Sequence, residues 1–168
     1  MLNKININKS IIVCLVLSAI TFAVYGQVRH FDFISLDDPI YVINNPHIKS
    51  GMSLEGIRWA FGTTYAEFWH PLTWISLMLD YQLYGLNPGG YHVTNLIFHI
   101  LSTFLLFWLF SRMTERIWQS AIIAALFTLH PLHVESVVWV AERKDVLSSF
   151  FWMLTLCLYV YYTENPLI

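Results

Sequence analysis

Residues 91–110 have the sequence YHVTNLIFHILSTFLLFWLF, and this stretch decides the class of fold. A transmembrane helix needs about 20 mainly apolar residues to cross roughly 30 Å of hydrocarbon. The stretch meets that length, and the charged residues Arg112, Glu115 and Arg116 end it sharply. Residues 91–110 therefore predict a membrane-spanning helix.

The composition of the whole chain agrees with a membrane location. Of its 168 residues, 57% are hydrophobic, 17% are aromatic and only 12% are charged, whereas soluble domains contain about 25% charged residues. A formal net charge of −2 provides no basic surface for a polyanion, so nucleic acid is not an expected partner. The chain is predicted to be an integral membrane protein.

Three further apolar runs predict the other spans of an all-α polytopic fold with about four transmembrane helices. They lie at residues 10–26, 117–129 and 146–162, and they leave outer loops at residues 27–90 and 130–145. The run at 117–129 covers only about 20 Å at 1.5 Å per residue, so that span must be short, kinked or extended by its flanks. We expect it to be followed by an amphipathic helix on the membrane surface, from Leu132 to Lys144.

The ends of the spans predict the orientation of the protein. Basic residues gather on the cytoplasmic side of membrane proteins. The cytoplasmic set would be Lys4, Lys9, Arg112 and Arg116, against Arg29, Arg143 and Lys144 outside. Both termini are therefore expected in the cytoplasm. The first run could instead be a cleaved signal peptide, but bulky Tyr25 stands where cleavage requires a small residue, so an uncleaved anchor is favoured.

The long outer loop contains two helix signals. Ser53 is a good N-cap for a helix with Glu55 in its first turn, and Pro71 suits the first turn of a second helix that would end at Gly85. Asp80 interrupts the apolar run of the second helix, so this helix is expected at the interface or re-entering the membrane rather than crossing it. Two interfacial helices are therefore predicted between the first and second spans.

The adjacent acids Asp37 and Asp38 form the first candidate site. Two neighbouring carboxylates repel each other, so the pair could share a proton, hold a cation, or provide a general base. The alternative is an exposed turn, since Asp38-Pro39 and the following Asn44-Asn45-Pro46 are typical turn sequences. Residue chemistry alone leaves both interpretations open.

A second candidate is the cluster of two histidines and a glutamate at residues 130–135, HPLHVE. A metal site is conceivable, but Pro131 interrupts a common helical face and no zinc spacing is matched, so no metal ligand is predicted. Binding of an anionic group by His133, Arg143 and Lys144 fits better because these side chains donate to phosphate. An ordinary mixture of charges at a helix end is the alternative.

A polar stripe runs along the second span. His92, Asn95, His99 and Ser102 recur at spacings of three, four and three residues, which places them on one helical face. Polar groups are unfavourable in lipid, so this face should look into protein or water. Hydrogen bonding between helices is favoured over direct contact with a ligand.

Several motifs follow one another in a specific order along the chain. They are LDDPIYV at 36–42 with NNP at 44–46, WHPLTW at 69–74, YHVTN at 91–95, HPLHVESV at 130–137 and AERKDVL at 141–147. In this order they resemble the N-terminal part of bacterial multipass proteins with C-terminal tetratricopeptide repeats, which are similar to the transmembrane and tetratricopeptide-repeat O-mannosyltransferases. The resemblance implies part of a GT-C glycosyltransferase fold in a bacterial inner membrane, with the acidic motif on the outer side.

The resemblance also implies a site and its ligands. Asp37 or Asp38 would be the general base that deprotonates a hydroxyl of an acceptor protein or glycan, while the sugar arrives on a polyprenyl phosphate. The substrate-binding candidates are Arg143, His133, Lys144 and His70. Of these, Arg143 would steady the departing lipid phosphate by charge. A divalent cation is a possible cofactor, and membrane lipids are expected partners.

The chain stops at Ile168, before the further spans of that family and its repeats of about 34 residues. We therefore expect a fragment that is inactive alone and whose partner would be the missing C-terminal part of the same protein. Two other hypotheses stay open: a noncatalytic membrane anchor or assembly subunit, and, less favoured, a small ion or metal transporter that uses the histidines.

Overall fold

The computed structural model describes residues 7–165, and within this range every regular element is helical. The long helices are α1 (Ile7–Tyr25), α5 (Pro88–Thr114), α6 (Ile117–Leu129) and α8 (Arg143–Glu164). The shorter ones are α2 (Pro46–Lys49), α3 (Leu54–Gly62) and α4 (Pro71–Tyr84) in the first loop, and α7 (Val134–Val138) in the second. The predicted all-α fold is confirmed.

Within residues 7–165, three helical segments are long and apolar enough to cross a membrane. They are Ile7–His30, Pro88–Thr114 and Val140–Glu164. A fourth span results only if α6 and the segment Pro131–Val138 count as one broken span, because the two are bent by 48°. The chain is thus a polytopic membrane protein with three to four spans.

Helix α5 is the centre of the bundle and packs against α1, α4, α6, α7 and α8. Its polar stripe is buried, with His92, Asn95, His99 and Ser102 each at most 3% exposed. Asn95 donates from Nδ2 to the Trp139 carbonyl at 3.0 Å, and His99 Nε2 lies 3.1 Å from the Thr128 carbonyl oxygen. The stripe is therefore buried inside the protein rather than facing lipid, as the spacing predicted. Asn95 and His99 bond to neighbouring segments, whereas the Ser102 hydroxyl donates to the Phe98 carbonyl of its own helix.

Both helices predicted in the first loop are present. Ser53 caps α3, and its Oγ accepts a hydrogen bond from the Gly56 amide at 2.9 Å. Helix α4 begins at Pro71 and ends before Gly85, whose φ of +61° is a conformation that favours glycine. At 14 residues, α4 is too short to cross a bilayer of roughly 30 Å at 1.5 Å per residue.

The predicted single surface helix from Leu132 to Lys144 is wrong. The chain instead forms a 3-10 turn at Pro131–His133, α7, a second 3-10 turn at Val140–Glu142, and then α8. Trp139, between α7 and the second turn, is extended with φ −85° and ψ 124°. The Trp139 carbonyl accepts the Asn95 bond described above as well as the Glu142 amide at 3.2 Å, so the chain bends at the point where it contacts α5.

The start of α5 lies close to the segment that follows α1. A Cβ atom added at Gly89 would fall 2.3 Å from the Arg29 carbonyl oxygen. Only glycine allows this approach without displacing backbone. The contact brings the end of α1 and the start of α5 to the same end of the bundle, where α8 also begins.

Candidate functional site

Asp38 is fully buried, with 0% of its surface exposed. Its Oδ2 accepts the Ile34 amide at 2.8 Å and its Oδ1 accepts the Ala141 amide at 2.8 Å. Burial raises the pKa of the Asp38 carboxyl, and these two backbone bonds act against that rise. Asp38 thus ties the loop after α1 to the segment that begins α8.

Asp37 has a different environment from its neighbour. Its side chain is partly exposed, and within residues 7–165 its carboxylate has no hydrogen-bond or ion-pair partner. Its backbone carbonyl accepts the amides of Ile40 and Tyr41, both at 2.9 Å, and so starts the one-turn π-helix Pro39–Ile43. The turn fixes the backbone and leaves the carboxylate available.

Tyr41 connects Asp37 to the rest of the site. Its ring stacks on His70 with a centroid distance of 5.6 Å and lies 4.9 Å from the Trp74 ring centroid. Burial raises the pKa of Tyr41 to about 12, and the negative charges of Asp37 and Glu142 add to the rise. The phenol therefore stays protonated at neutral pH and can donate a hydrogen bond.

His70 and Lys144 provide the nitrogen donors. Burial lowers the pKa of His70 to about 4, with a further contribution from the Lys144 charge, so His70 is neutral at pH 7. The buried Nε2 of His70 has no hydrogen-bond partner in the described part of the chain. Lys144 pairs with Glu142 at 2.7 Å and keeps 29% of its side chain exposed.

These donors border an apolar groove of about 470 Å³ between the first turns of α4 and α8. The apolar lining includes Phe61, Trp69, Leu72, Leu147 and Phe151, with His70 and Lys144 beside them. Several of these rings and chains are exposed, among them Phe61, Trp69 and Leu72. The groove therefore combines an apolar wall with a positive charge and a neutral imidazole.

Arg143 lies outside this groove. It is 0% exposed, and its Nη2 donates to Asp80 Oδ2 at 2.6 Å and to the Tyr91 carbonyl at 2.9 Å. Its Nε donates to Asn95 Oδ1. The guanidinium was predicted to donate hydrogen bonds to a phosphate, but here it bonds to groups in the protein interior. Its role toward a ligand stays a prediction.

His133 belongs to a separate cluster. Its ring centroid lies 5.7 Å from that of His99, 4.7 Å from that of Phe127 and 6.1 Å from that of His130. None of these residues lines the groove. Among residues 7–165, no group of three or more His, Cys, Asp or Glu side chains is placed to hold a metal ion.

Of the predicted site residues, His70 and Lys144 line one groove. Asp37 is linked to His70 through Tyr41, whose pKa its charge raises and whose ring stacks on His70. Asp38 is buried in the backbone bonds described above. Sequence reasoning did not select Tyr41 or Glu142 for the site. Tyr41 carried a signal in its place within LDDPIYV, three residues after the acidic pair. Glu142 had only its position beside Lys144, which is ordinary in any charged segment.

Fold and site together define an all-α polytopic membrane protein with a charged cluster beside an apolar groove at one end of its bundle. The chain is 30% identical over 147 residues to the protein O-mannosyl-transferase TMTC1 of Mus musculus, a match that covers 80% of this chain and 15% of the relative. It is also 30% identical over 149 residues to TMTC1 of Homo sapiens, covering 80% and 16%. The protein O-mannosyl-transferase F38B6.6 of Caenorhabditis elegans is 29% identical over 157 residues, covering 87% and 22%.

The chain therefore spans less than a quarter of the length of these curated relatives. Its similarity to O-mannosyltransferases, expected from the motifs, is confirmed. No family model matches the chain. No solved structure matches it either.

Proposed function

We propose that this chain forms the N-terminal part of a GT-C-like membrane domain that transfers a sugar from a polyprenyl phosphate to an acceptor hydroxyl. Support comes from relatives named as protein O-mannosyl-transferases over most of this chain. Those names favour mannose as the sugar and a protein as the acceptor. The observation that carries the proposal is the partly exposed, unpartnered carboxylate of Asp37, which is linked through Tyr41 to His70 in a groove that has cationic and apolar walls.

Asp37 is the proposed general base. Its carboxylate takes the proton of the acceptor hydroxyl while that oxygen forms a bond to the anomeric carbon of the sugar. The bond from that carbon to the phosphate oxygen breaks, and its electron pair leaves with the polyprenyl phosphate. General-base assistance of this kind is worth about 10²–10⁴ in rate.

The groove between α4 and α8 is the proposed donor site. Its apolar wall, which includes Trp69 and Phe151, suits the first isoprene units of the lipid. Lys144 can exchange Glu142 for the phosphate, because its side chain is already partly exposed. A charge placed there stabilises the negative charge that grows on the leaving phosphate. Neutral His70 adds one hydrogen-bond donor.

We also propose an orientation in which the N-terminus is cytoplasmic and the cluster around Asp37 faces the outside of a bacterial inner membrane. The balance of basic residues at the span ends supports this orientation. The end of α1, the start of α5 and the start of α8 lie at one end of the bundle. The acidic motif and the groove would therefore share the outer leaflet.

The test compares two single changes, each made in the complete protein of which this chain would form the N-terminal part, in membranes that carry that protein. Asp37→Asn removes the base and should lower transfer from mannosyl polyprenyl phosphate to acceptor by about 10²–10⁴. Asp32→Asn, an equal charge change at an exposed position five residues earlier, is the matched control and should leave transfer unchanged. Full transfer by Asp37→Asn would refute Asp37 as the base.

A further inference from the structure

The Arg143–Asp80 ion pair is the centre of a buried polar network that joins three helices. Asp80 lies on α4 and accepts the Thr94 hydroxyl of α5 at 2.8 Å through its other oxygen. Arg143, the first residue of α8, also lies 3.5 Å from Ser76 Oγ of α4. Asn95 of α5 joins the network by accepting from Arg143 and donating to the Trp139 carbonyl.

The network offsets the unfavourable free energy of removing the charges of Arg143 and Asp80 from water. A charge removed from water is strongly unfavourable unless it is paired and hydrogen-bonded. Arg143 and Asp80 are at most 2% exposed, and each has further partners besides the other. Their positions are thereby fixed together, since separating them would leave two unpaired charges in the interior.

The neighbours of Arg143 in the chain are site residues. Glu142 and Lys144 flank it, and the Ala141 amide binds Asp38. On the other side of the groove, His70 is the N-cap of α4 and Pro71 is its first residue, and the same helix carries Asp80. The ion pair therefore links the two helices whose first turns form the walls of the groove.

We propose that Arg143 and Asp80 are positioning residues that fix Lys144 against the groove opposite His70. The inference rests on the proposed function for the meaning of that geometry, namely capture of a lipid phosphate. The pair itself touches no substrate, because both side chains are enclosed by α4, α5 and α8. Its effect on transfer passes through the placement of Lys144.

The first experiment tests the position of Lys144 and does not depend on enzymatic activity. Site-resolved mass spectrometry would follow the reaction of Lys144 with an amine reagent in membranes that carry the protein. Asp80→Asn should raise the labelling rate of Lys144 about threefold or more, because the start of α8 loses its ionic contact with α4. Glu164→Gln is the matched control: it breaks a different ion pair of α8, Arg112–Glu164, far along the helix, and should leave Lys144 labelling unchanged.

The second experiment measures the kinetics of sugar transfer. Asp80→Asn should raise KM for mannosyl polyprenyl phosphate about tenfold with kcat within about twofold, which is the pattern of lost binding contacts. Asp80→Glu keeps the carboxylate and should recover part of that loss. Equal changes in Asp80→Asn and Glu164→Gln would show a general packing role and overturn the proposal.

Two outcomes separate this inference from the proposed function. Absence of transfer by the unchanged complete protein, of which this chain would form the N-terminal part, together with faster Lys144 labelling in Asp80→Asn, keeps the positioning role and refutes the transferase. Transfer that depends on Asp37, together with unaltered Lys144 labelling in Asp80→Asn, refutes the positioning role alone. Should Asp80→Asn fail to fold, Thr94→Val decides instead, since it removes one bond to Asp80 and should raise the labelling rate less.

Discussion

Asp37 and Asp38 are adjacent and chemically identical, but the structure predicts opposite consequences for their replacement. Asn is the informative substitution because it keeps the size of the side chain and removes the charge. Asp38→Asn should weaken folding, whereas Asp37→Asn should affect transfer. The contrast follows from what each carboxylate contacts.

The expected loss for Asp38→Asn comes from two backbone amides. Both oxygens of Asp38 accept, from Ile34 and from Ala141, at 2.8 Å. An amide side chain has one acceptor oxygen and one NH₂ donor, so one backbone N–H would meet another donor in a buried site. Leaving a buried donor unsatisfied costs about 1–3 kcal/mol.

Part of that cost is offset by the removal of charge. Burial raises the pKa of Asp38, which means that the ionised carboxylate is itself penalised by desolvation. A neutral amide avoids that penalty. We therefore expect the free energy of unfolding to fall by about 1–2 kcal/mol, which is the lower half of the range for an unsatisfied buried donor. Asp37→Asn, at a partly exposed position, should change it by no more than about 0.5 kcal/mol.

The assay is unfolding of the detergent-solubilised protein, followed by the fluorescence of its seven tryptophans. A lower midpoint is expected for Asp38→Asn and an unchanged midpoint for Asp37→Asn. The reasoning fails if Asp38→Asn is as stable as the unchanged protein but loses transfer. In that case Asp38, not Asp37, would carry the chemistry.

Three further predictions concern the interior of the protein. Arg143→Met should lower the free energy of unfolding by about 3–5 kcal/mol because Asp80 is left buried without its counter-ion, and the double change with Asp80→Leu should be less destabilising than Arg143→Met alone in the same unfolding assay. Burial lowers the pKa of His70 to about 4 from 6.5, so the unfolded chain binds the proton first and stability should fall as the pH drops from 6.5 toward 4; melts at several pH values should show a smaller fall for His70→Phe. Gly89→Ala should lower the melting temperature because its Cβ would meet the Arg29 carbonyl oxygen at 2.3 Å. Gly62→Ala is the control: a Cβ there would have no atom within 4 Å, so the melting temperature should stay unchanged or rise. Equal melting temperatures for the two variants would contradict this explanation.

Local patterns were sufficient for most helices because the causes of a helix are local. The apolar length of α5, the Ser53 cap and the Pro71 start each act within a few residues of the element that they define. The prediction for the segment after Pro131 was wrong because the conformation of that segment depends on a residue far away in the sequence. Trp139 is extended where its carbonyl meets Asn95 of α5, and no periodicity within residues 132–144 contains that contact.

The site shows the same division. The sequence marked Asp37, His70 and Lys144 as candidates to act on a sugar or a phosphate. It could not show that His70 and Lys144 line one groove or that Tyr41 lies between Asp37 and His70. The sequence also marked Asp80 as an acid within an apolar run, but it did not identify the counter-ion of Asp80. It presented Arg143 as a hydrogen-bond donor to phosphate. The structure shows that these two residues form an ion pair with each other.

By itself, the sequence determined that the chain is helical, that it lies in a membrane and that it resembles O-mannosyltransferases, because composition, helix caps and ordered motifs are properties of the linear chain. Only the tertiary structure decided which acid is buried, which cation keeps contact with water and which helices form the groove. The physical reason is desolvation: whether Asp37 or Asp38, and Lys144 or Arg143, keeps contact with water depends on packing between residues about a hundred positions apart, such as Asp38 and Ala141. Such packing is set by the fold as a whole and not by the neighbours of any one residue.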